Sequence, residues 1–146
     1  KSTQKTEGAQ MELEQLNERL ENIKWLDKEI EALKLEIKSL DSGLYKRNHL
    51  SASPFQKNNN NNAEDKLIST IKLKEDLEER LERVIEERLE IVRMIDKNPY
   101  ALERTVLRLY YVSELSCWDV AEKIDCSTPT IYRILRKGKE RLAKIL

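Results

Sequence analysis

The sequence predicts an all-α protein: a long coiled-coil helical hairpin followed by a C-terminal three-helix helix-turn-helix domain. Three observations predict it. Glycine and proline number 3 each in 146 residues, too few for the turns of a sandwich, a barrel or a doubly wound sheet. Charged residues make up 37% of the chain, and Glu and Lys stand beside many Leu and Ile, all compatible with long helices. Apolar residues recur at steps of three and four over the first third, the mark of a helix that buries one stripe.

Between Met11 and Leu44 the stripe runs Leu16, Leu20, Ile23, Leu26, Ile30, Leu33, Ile37, Leu40 and Leu44, nearly a heptad, with one short step beside Trp25. This is a coiled-coil seam, with Gly43 where a helix end or kink is expected. Residues 1–10 form a polar tail. A non-periodic stretch from about 45 to 63, containing Pro54 and the run Asn58 to Asn62, is expected as a linker that lets the chain turn back. A second helix, from about Ala63 to Lys97, carries Leu67, Ile71, Leu77, Leu81, Val84, Ile85, Leu89, Ile91, Val92 and Ile95, a face broad enough for two neighbours. Glu64 and Asp65 fall in its first turn, where the helix dipole favours them. Each arm is roughly 50 Å long at about 1.5 Å per residue. Rods of this kind bury little alone, so oligomerisation, most simply to a dimer, is expected through Leu16, Leu20, Ile23, Leu26, Ile30, Leu33, Ile37, Leu40, Leu77, Leu81 and Ile85. The pattern leaves open whether the arms pair parallel or antiparallel.

The domain from 98 to 146 differs in character. Asn98 reads as a cap and Pro99 as the first helical position. Leu102, Val106, Leu107, Leu109 and Tyr110 mark one helix. Ser116 caps a second, with Val120, Ala121 and Ile124. Asp125-Cys126 makes a tight turn, and Ser127 caps a third helix through Ile131, Ile134, Leu135, Leu142 and Leu146. Ala121 is small where two helices would cross. Pro129 in a first turn forfeits no hydrogen bond. Asp125 sits where a helix-turn-helix usually places glycine and tolerates the left-handed conformation. Gly138 inside the last helix costs about 1 kcal/mol relative to alanine, and a bend is expected there.

Charge supports a nucleic-acid reading. The 27 basic and 27 acidic residues cancel overall, but from Ser127 to Leu146 six basic residues face one acidic, a net +5. From Pro99 to Cys126 the count is three against five, and before Pro99 it is 18 against 21. A basic terminal helix is the electrostatic footprint of a duplex-DNA reader. Its expected DNA-binding residues are Ser127, Thr128, Pro129, Thr130, Tyr132, Arg133, Arg136, Lys137 and Lys139. Arg133 suits bidentate pairing with guanine. Thr128, Thr130 and Tyr132 suit phosphate or thymine-methyl contacts, and Arg136, Lys137 and Lys139 suit the backbone.

Other classes find less support. His49 is the single histidine, which argues against His-based catalysis and multi-His metal sites. No phosphate-cradling glycine loop occurs and no nucleophile sits with an evident base, so no enzyme, cofactor or metal is expected. Cys117 and Cys126 lack the spacing of a zinc site and read as small buried thiols. The widest gap between charges, Asn48 to Gln56, is too short to span a bilayer, and the polar N-terminus carries no signal peptide, so a cytoplasmic location is expected.

The segments Leu102-Glu-Arg-Thr-Val-Leu-Arg-Leu-Tyr-Tyr111, Leu115-Ser116, Val120-Ala-Glu-Lys-Ile124 and Ser127-Thr-Pro-Thr-Ile-Tyr-Arg-Ile134, with Leu142, resemble region four of bacterial sigma factors. They resemble still more the sigma-region-four-like domain of phage and prophage late-operon regulators of the ArpU/RinA type. The matching recognition-helix residues are Ser127, Thr130, Ile131, Tyr132, Arg133 and Ile134, and the likeness covers about a third of the chain. Cys117-Trp118-Asp119 departs from the more usual aromatic-acid-acid order by moving the aromatic one position. The resemblance implies a sequence-specific transcriptional regulator that binds double-stranded DNA, with RNA polymerase as a further partner. The alternatives are a polymerase-binding sigma-like adaptor, a small-terminase-like DNA-packaging protein and a structural coiled coil.

Overall fold

The computed structural model describes the backbone of residues 2–50 and 60–146, and side chains over 12–43 and 62–146. Five helices and no strand occur among the described residues: α1 (Ser2–Leu50), α2 (Asn60–Asp96), α3 (Ala101–Leu107), α4 (Cys117–Ile124) and α5 (Thr128–Ile145). A π-helical turn, Arg108–Val112, continues α3. The all-α architecture is as the glycine count and periodicity require. The helices overrun their expected limits. α1 takes in the residues read as a tail and continues through Gly43, and α2 begins before the expected Ala63, leaving Glu64 and Asp65 beyond its first turn. The centre of the expected linker, 51–59, lies outside the described residues.

The chain divides into two compact units, Lys1–Asp27 with Glu87–Leu146, and Lys28–Glu86. The first unit is therefore not bounded at residue 98, as the change in composition suggests; it includes the beginning of α1 and the end of α2. Its core joins Leu16, Leu20, Ile23 and Leu26 of α1, Ile91, Val92 and Ile95 of α2, and Val106, Leu107, Val120, Ile131, Leu135 and Leu142 of the C-terminal helices, all buried. Arg19 reaches Met94 and Arg88 pairs with Asp27, so α1 and α2 run antiparallel within this unit.

The second unit is a two-helix antiparallel arm. Arg80 donates to Glu29 at 3.0 Å and Lys74 pairs with Asp41 at 2.6 Å. Its α2 seam is Leu67, Thr70, Lys74, Leu77, Leu81 and Val84, alternating steps of three and four with a polar residue at two positions. Ion pairs flanking a seam fix register, because a slipped helix would leave them unmatched.

The oligomerisation residues are corrected by this packing. Leu16, Leu20, Ile23, Leu26 and Leu33 are buried within the single chain. Ile30, Ile37, Leu40, Leu77 and Leu81 are half-buried along the same intrachain seam. Ile85, off the seam, is exposed. The five buried side chains are used up within the chain, whereas the half-buried ones keep part of their surface accessible. Apolar groups left exposed on the arm are Leu35, Ile68, Ile71, Leu73 and Ile85.

Candidate nucleic-acid interface

α4 and α5 are delimited by the local chemistry of their ends. Ser116, in an extended conformation, accepts a hydrogen bond from the Asp119 amide at 3.2 Å and donates its hydroxyl to the Asp119 carboxylate at 3.0 Å, closing the start of α4. Asp125 ends α4 in the left-handed region, φ 62 and ψ 44, and the Cys126 amide then donates to the Ala121 carbonyl. Ser127 caps α5 by accepting from the Thr130 amide, with Pro129 in the first turn, where no intrahelical donor is needed. Val120, Ala121 and Ile131 are buried between the two helices. The result is a helix-turn-helix.

The start of α3 is less regular than its sequence suggests. Asn98 is not the cap; Tyr100 occupies that position and makes no side-chain capping bond. Asn98 is fully buried. Its Oδ1 accepts from the Tyr100 amide at 2.9 Å and its Nδ2 donates to the Gly138 carbonyl of α5 at 3.3 Å. A polar side chain buried with both ends satisfied ties the beginning of α3 to the middle of α5. Gly138 produces no break in α5. A Cβ there would lie 3.3 Å from Leu107 Cδ1 and 3.4 Å from Glu103 Cβ, so glycine permits the close approach of α3. The π-helical turn shifts the inward register. Tyr111 is buried and Tyr110 is half-buried. Leu102, upstream of this turn and expected in the core, is exposed.

α5 has two opposed faces. Ile131, Leu135, Gly138 and Leu142 fall on one side and are buried. At 100° per residue, Arg133, Arg136, Lys137, Glu140 and Lys144 fall on the other and are exposed. Arg133, Arg136, Lys137 and Lys144 have no hydrogen-bond or ion-pair partner among the described residues. Lys144 was not singled out from sequence, although its spacing from Arg133 and Lys137 already placed it on this face.

The two remaining cations of α5 lie on its flanks and are used internally. Arg141 Nε donates to both carboxylate oxygens of the buried Glu103, at 2.9 and 3.1 Å, and its guanidinium lies over the Tyr100 ring, 4.2 Å from the centroid. The hydrogen bond with Glu103 raises the Arg141 pKa further. Lys139 corrects its assignment as a backbone anchor. Its ammonium donates to Asn17 Oδ1 at 2.9 Å and to the Tyr111 hydroxyl at 3.1 Å. It holds α5 against α1 and the π-helical turn. Burial first, then the charge of Glu21, pushes the Tyr111 hydroxyl up to about 12. Neither Asn17 nor Tyr111 carried a sequence signal for this clamp, because they lie 122 and 28 positions from Lys139.

The leading end of α5 presents the other expected residues. Pro129, Tyr132 and Arg133 are exposed, and Thr128 and Thr130 are half-buried. Ser127 Oγ and Thr130 Oγ1 are 2.8 Å apart, so these two hydroxyls serve the helix cap and each keeps only part of its hydrogen-bonding capacity for a ligand. Tyr132 is 60% exposed, and a hydrogen bond with Cys117 raises its pKa. The site therefore gathers Pro129, Tyr132, Arg133, Arg136 and Lys137 on one accessible surface, with Ser127, Thr128 and Thr130 at its edge and Lys139 turned to the interior. No cluster of metal-ligating side chains occurs among the described residues, and no helix there is long and apolar enough to cross a membrane.

Comparison with known proteins adds a family. No curated protein and no solved structure matches the chain. One family model, described as a protein of unknown function (DUF1492), matches residues 45–143, and on that match, which spans well over half of the sequence, the chain belongs to this family.

Proposed function

We propose that the protein is a sequence-specific DNA-binding transcriptional regulator, similar to the phage and prophage late-operon regulators, acting in the cytoplasm and not as an enzyme. The observation that carries this reading is the two-faced α5: a buried apolar side, and opposite it four exposed cations without internal partners. In a helix-turn-helix the leading end of the second helix enters the major groove. Arg133 then reads a guanine edge, which is worth about 1–3 kcal/mol of discrimination. Arg136, Lys137 and Lys144 hold phosphates, and Tyr132 extends the contact at the groove wall. Function as an oligomer remains part of the proposal, since two recognition helices placed about 34 Å apart would bind half-sites one turn apart. The surfaces open to a second copy are the exposed apolar positions of the arm rather than the enclosed seam.

The test is selection of bound duplexes from a random pool at moderate salt, with Arg133→Ala and Lys137→Ala beside the parent. The parent enriches a motif, Arg133→Ala loosens one position of it, and Lys137→Ala weakens all duplexes alike while lowering the salt slope by about one. Absence of enrichment in the parent would overturn the proposal in favour of a polymerase adaptor or a structural coiled coil.

A further inference from the structure

The charge of the helix-turn-helix is divided by helix. α5 is basic on its outward face, whereas α4 and its flanks expose Glu114, Asp119, Glu122 and Asp125 against Lys123 alone. On this face stands Trp118, 69% exposed. It lines a shallow groove at the junction of α4 and α5 that runs from Ala121, Glu122, Asp125 and Cys126 to Ser127, Thr128 and Pro129 at the start of α5. The Asp119 carboxylate is engaged by Ser116, but Glu122 and Asp125 have no ion-pair partner among the described residues.

The fold does not need this indole, which packs into neither the seam nor the core. Nor does the groove suit a nucleic-acid backbone, because two carboxylates repel phosphate. One chemical group satisfies the indole and both carboxylates together. A guanidinium is planar, stacks on an indole face and pairs bidentately with carboxylates, whereas an ammonium supplies charge without the plane. We propose that Trp118, Glu122 and Asp125 form a docking surface for an arginine-bearing segment of a protein partner. This surface adjoins the leading end of α5, sharing Ser127, Thr128 and Pro129 with the edge of the DNA-binding surface, while Arg133, Arg136 and Lys137 lie outside it.

The experiment uses the full chain with Trp25→Phe. Trp25 is itself exposed, and its replacement leaves Trp118 as the only indole. The probes are three short amidated peptides of equal length, carrying two arginines, two lysines or two glutamates. The arginine peptide changes Trp118 fluorescence saturably and binds several-fold more tightly than the lysine peptide, and the glutamate peptide does not bind. Glu122→Gln and Asp125→Asn each weaken arginine-peptide binding about tenfold, the loss of one charge-assisted contact. Asn at 125 keeps the left-handed turn, so this variant retains the fold. Trp118→Ala, followed by anisotropy of a labelled arginine peptide, abolishes binding, while circular dichroism checks that its helices persist. Equal affinity for arginine and lysine peptides, indifference to both charge-neutralising changes, or no saturable response would each overturn the proposal.

Discussion

Two interior stretches of α1 meet different fates with a similar sequence pattern. Through residues 16–26 every seam position is buried, because the helix-turn-helix adds a third layer over α1 and α2. Through residues 30–40 the same spacing leaves Ile30, Ile37 and Leu40 half-buried, and only Leu33 is buried. In the arm the partner is one helix whose seam includes Thr70 and Lys74. A heptad thus specifies which face is apolar; how deeply that face is buried depends on the number of elements that cover it.

The largest expected effect tests this difference directly. Leu20→Ala removes a side chain 1% exposed and should cost about 3 kcal/mol, within the range of core Leu→Ala changes. Leu77→Ala, at a half-buried arm position, should cost about 1 kcal/mol, since much of its surface is already in water. Chemical denaturation of both variants checks the ratio. Equal losses, with that of Leu77→Ala depending on protein concentration, would instead mean that a second copy covers the arm in solution.

The glycines sharpen the comparison at a smaller scale. A Cβ at Gly43 of α1 meets nothing within 4 Å, so Gly43→Ala should stabilise by up to about 1 kcal/mol through helix propensity alone. Gly138→Val would press on Leu107, which is fully buried and has nowhere to move, and should cost about 2 kcal/mol. The two midpoints in a thermal melt should shift in opposite directions. A neutral Gly138→Val would show that α3 and α5 separate easily, tied by Asn98 and the Glu103–Arg141 pair rather than by close packing at Gly138.

Much of the fold was legible because its signals are local. Ser116 and Ser127 cap, Asp125 turns left-handed, and the spacing of Ile131, Leu135 and Leu142 marks the inner face of α5; all three are properties of short windows. The opposed basic face follows from the same periodicity. What escaped depends on distant residues. Asn98 looks like a cap from its neighbours, yet its amide is drawn to Gly138, 40 positions away. Lys139 looks like another phosphate anchor until Asn17 of α1 stands beside it. The π-helical turn exchanged Tyr110 for Tyr111 in the core by inserting one residue into the helical register, which a fixed period does not anticipate. The seam is legible as apolar, but periodicity identifies a buried face without identifying which helix, of the same chain or of a second copy, buries it.

The smallest effect concerns the clamp between α1 and the helix-turn-helix. The Tyr111 hydroxyl accepts from Lys139 and lies 3.4 Å from Asn17 Oδ1, to which it donates. Its pKa rises from 10.0 to about 12 because the ionised phenolate is poorly solvated in this position. Below pH 10 the phenol is neutral in both folded and unfolded chains, and its contribution to stability is constant. Between pH about 10 and about 12 the unfolded chain ionises while the folded one resists, so stability falls as pH rises. The expected loss is on the order of 1 kcal/mol. Tyr111→Phe should remove this part of the alkaline limb. Urea midpoints measured at intervals from pH 9 to about 12 read the difference. Parallel curves for parent and variant would mean that water reaches the hydroxyl.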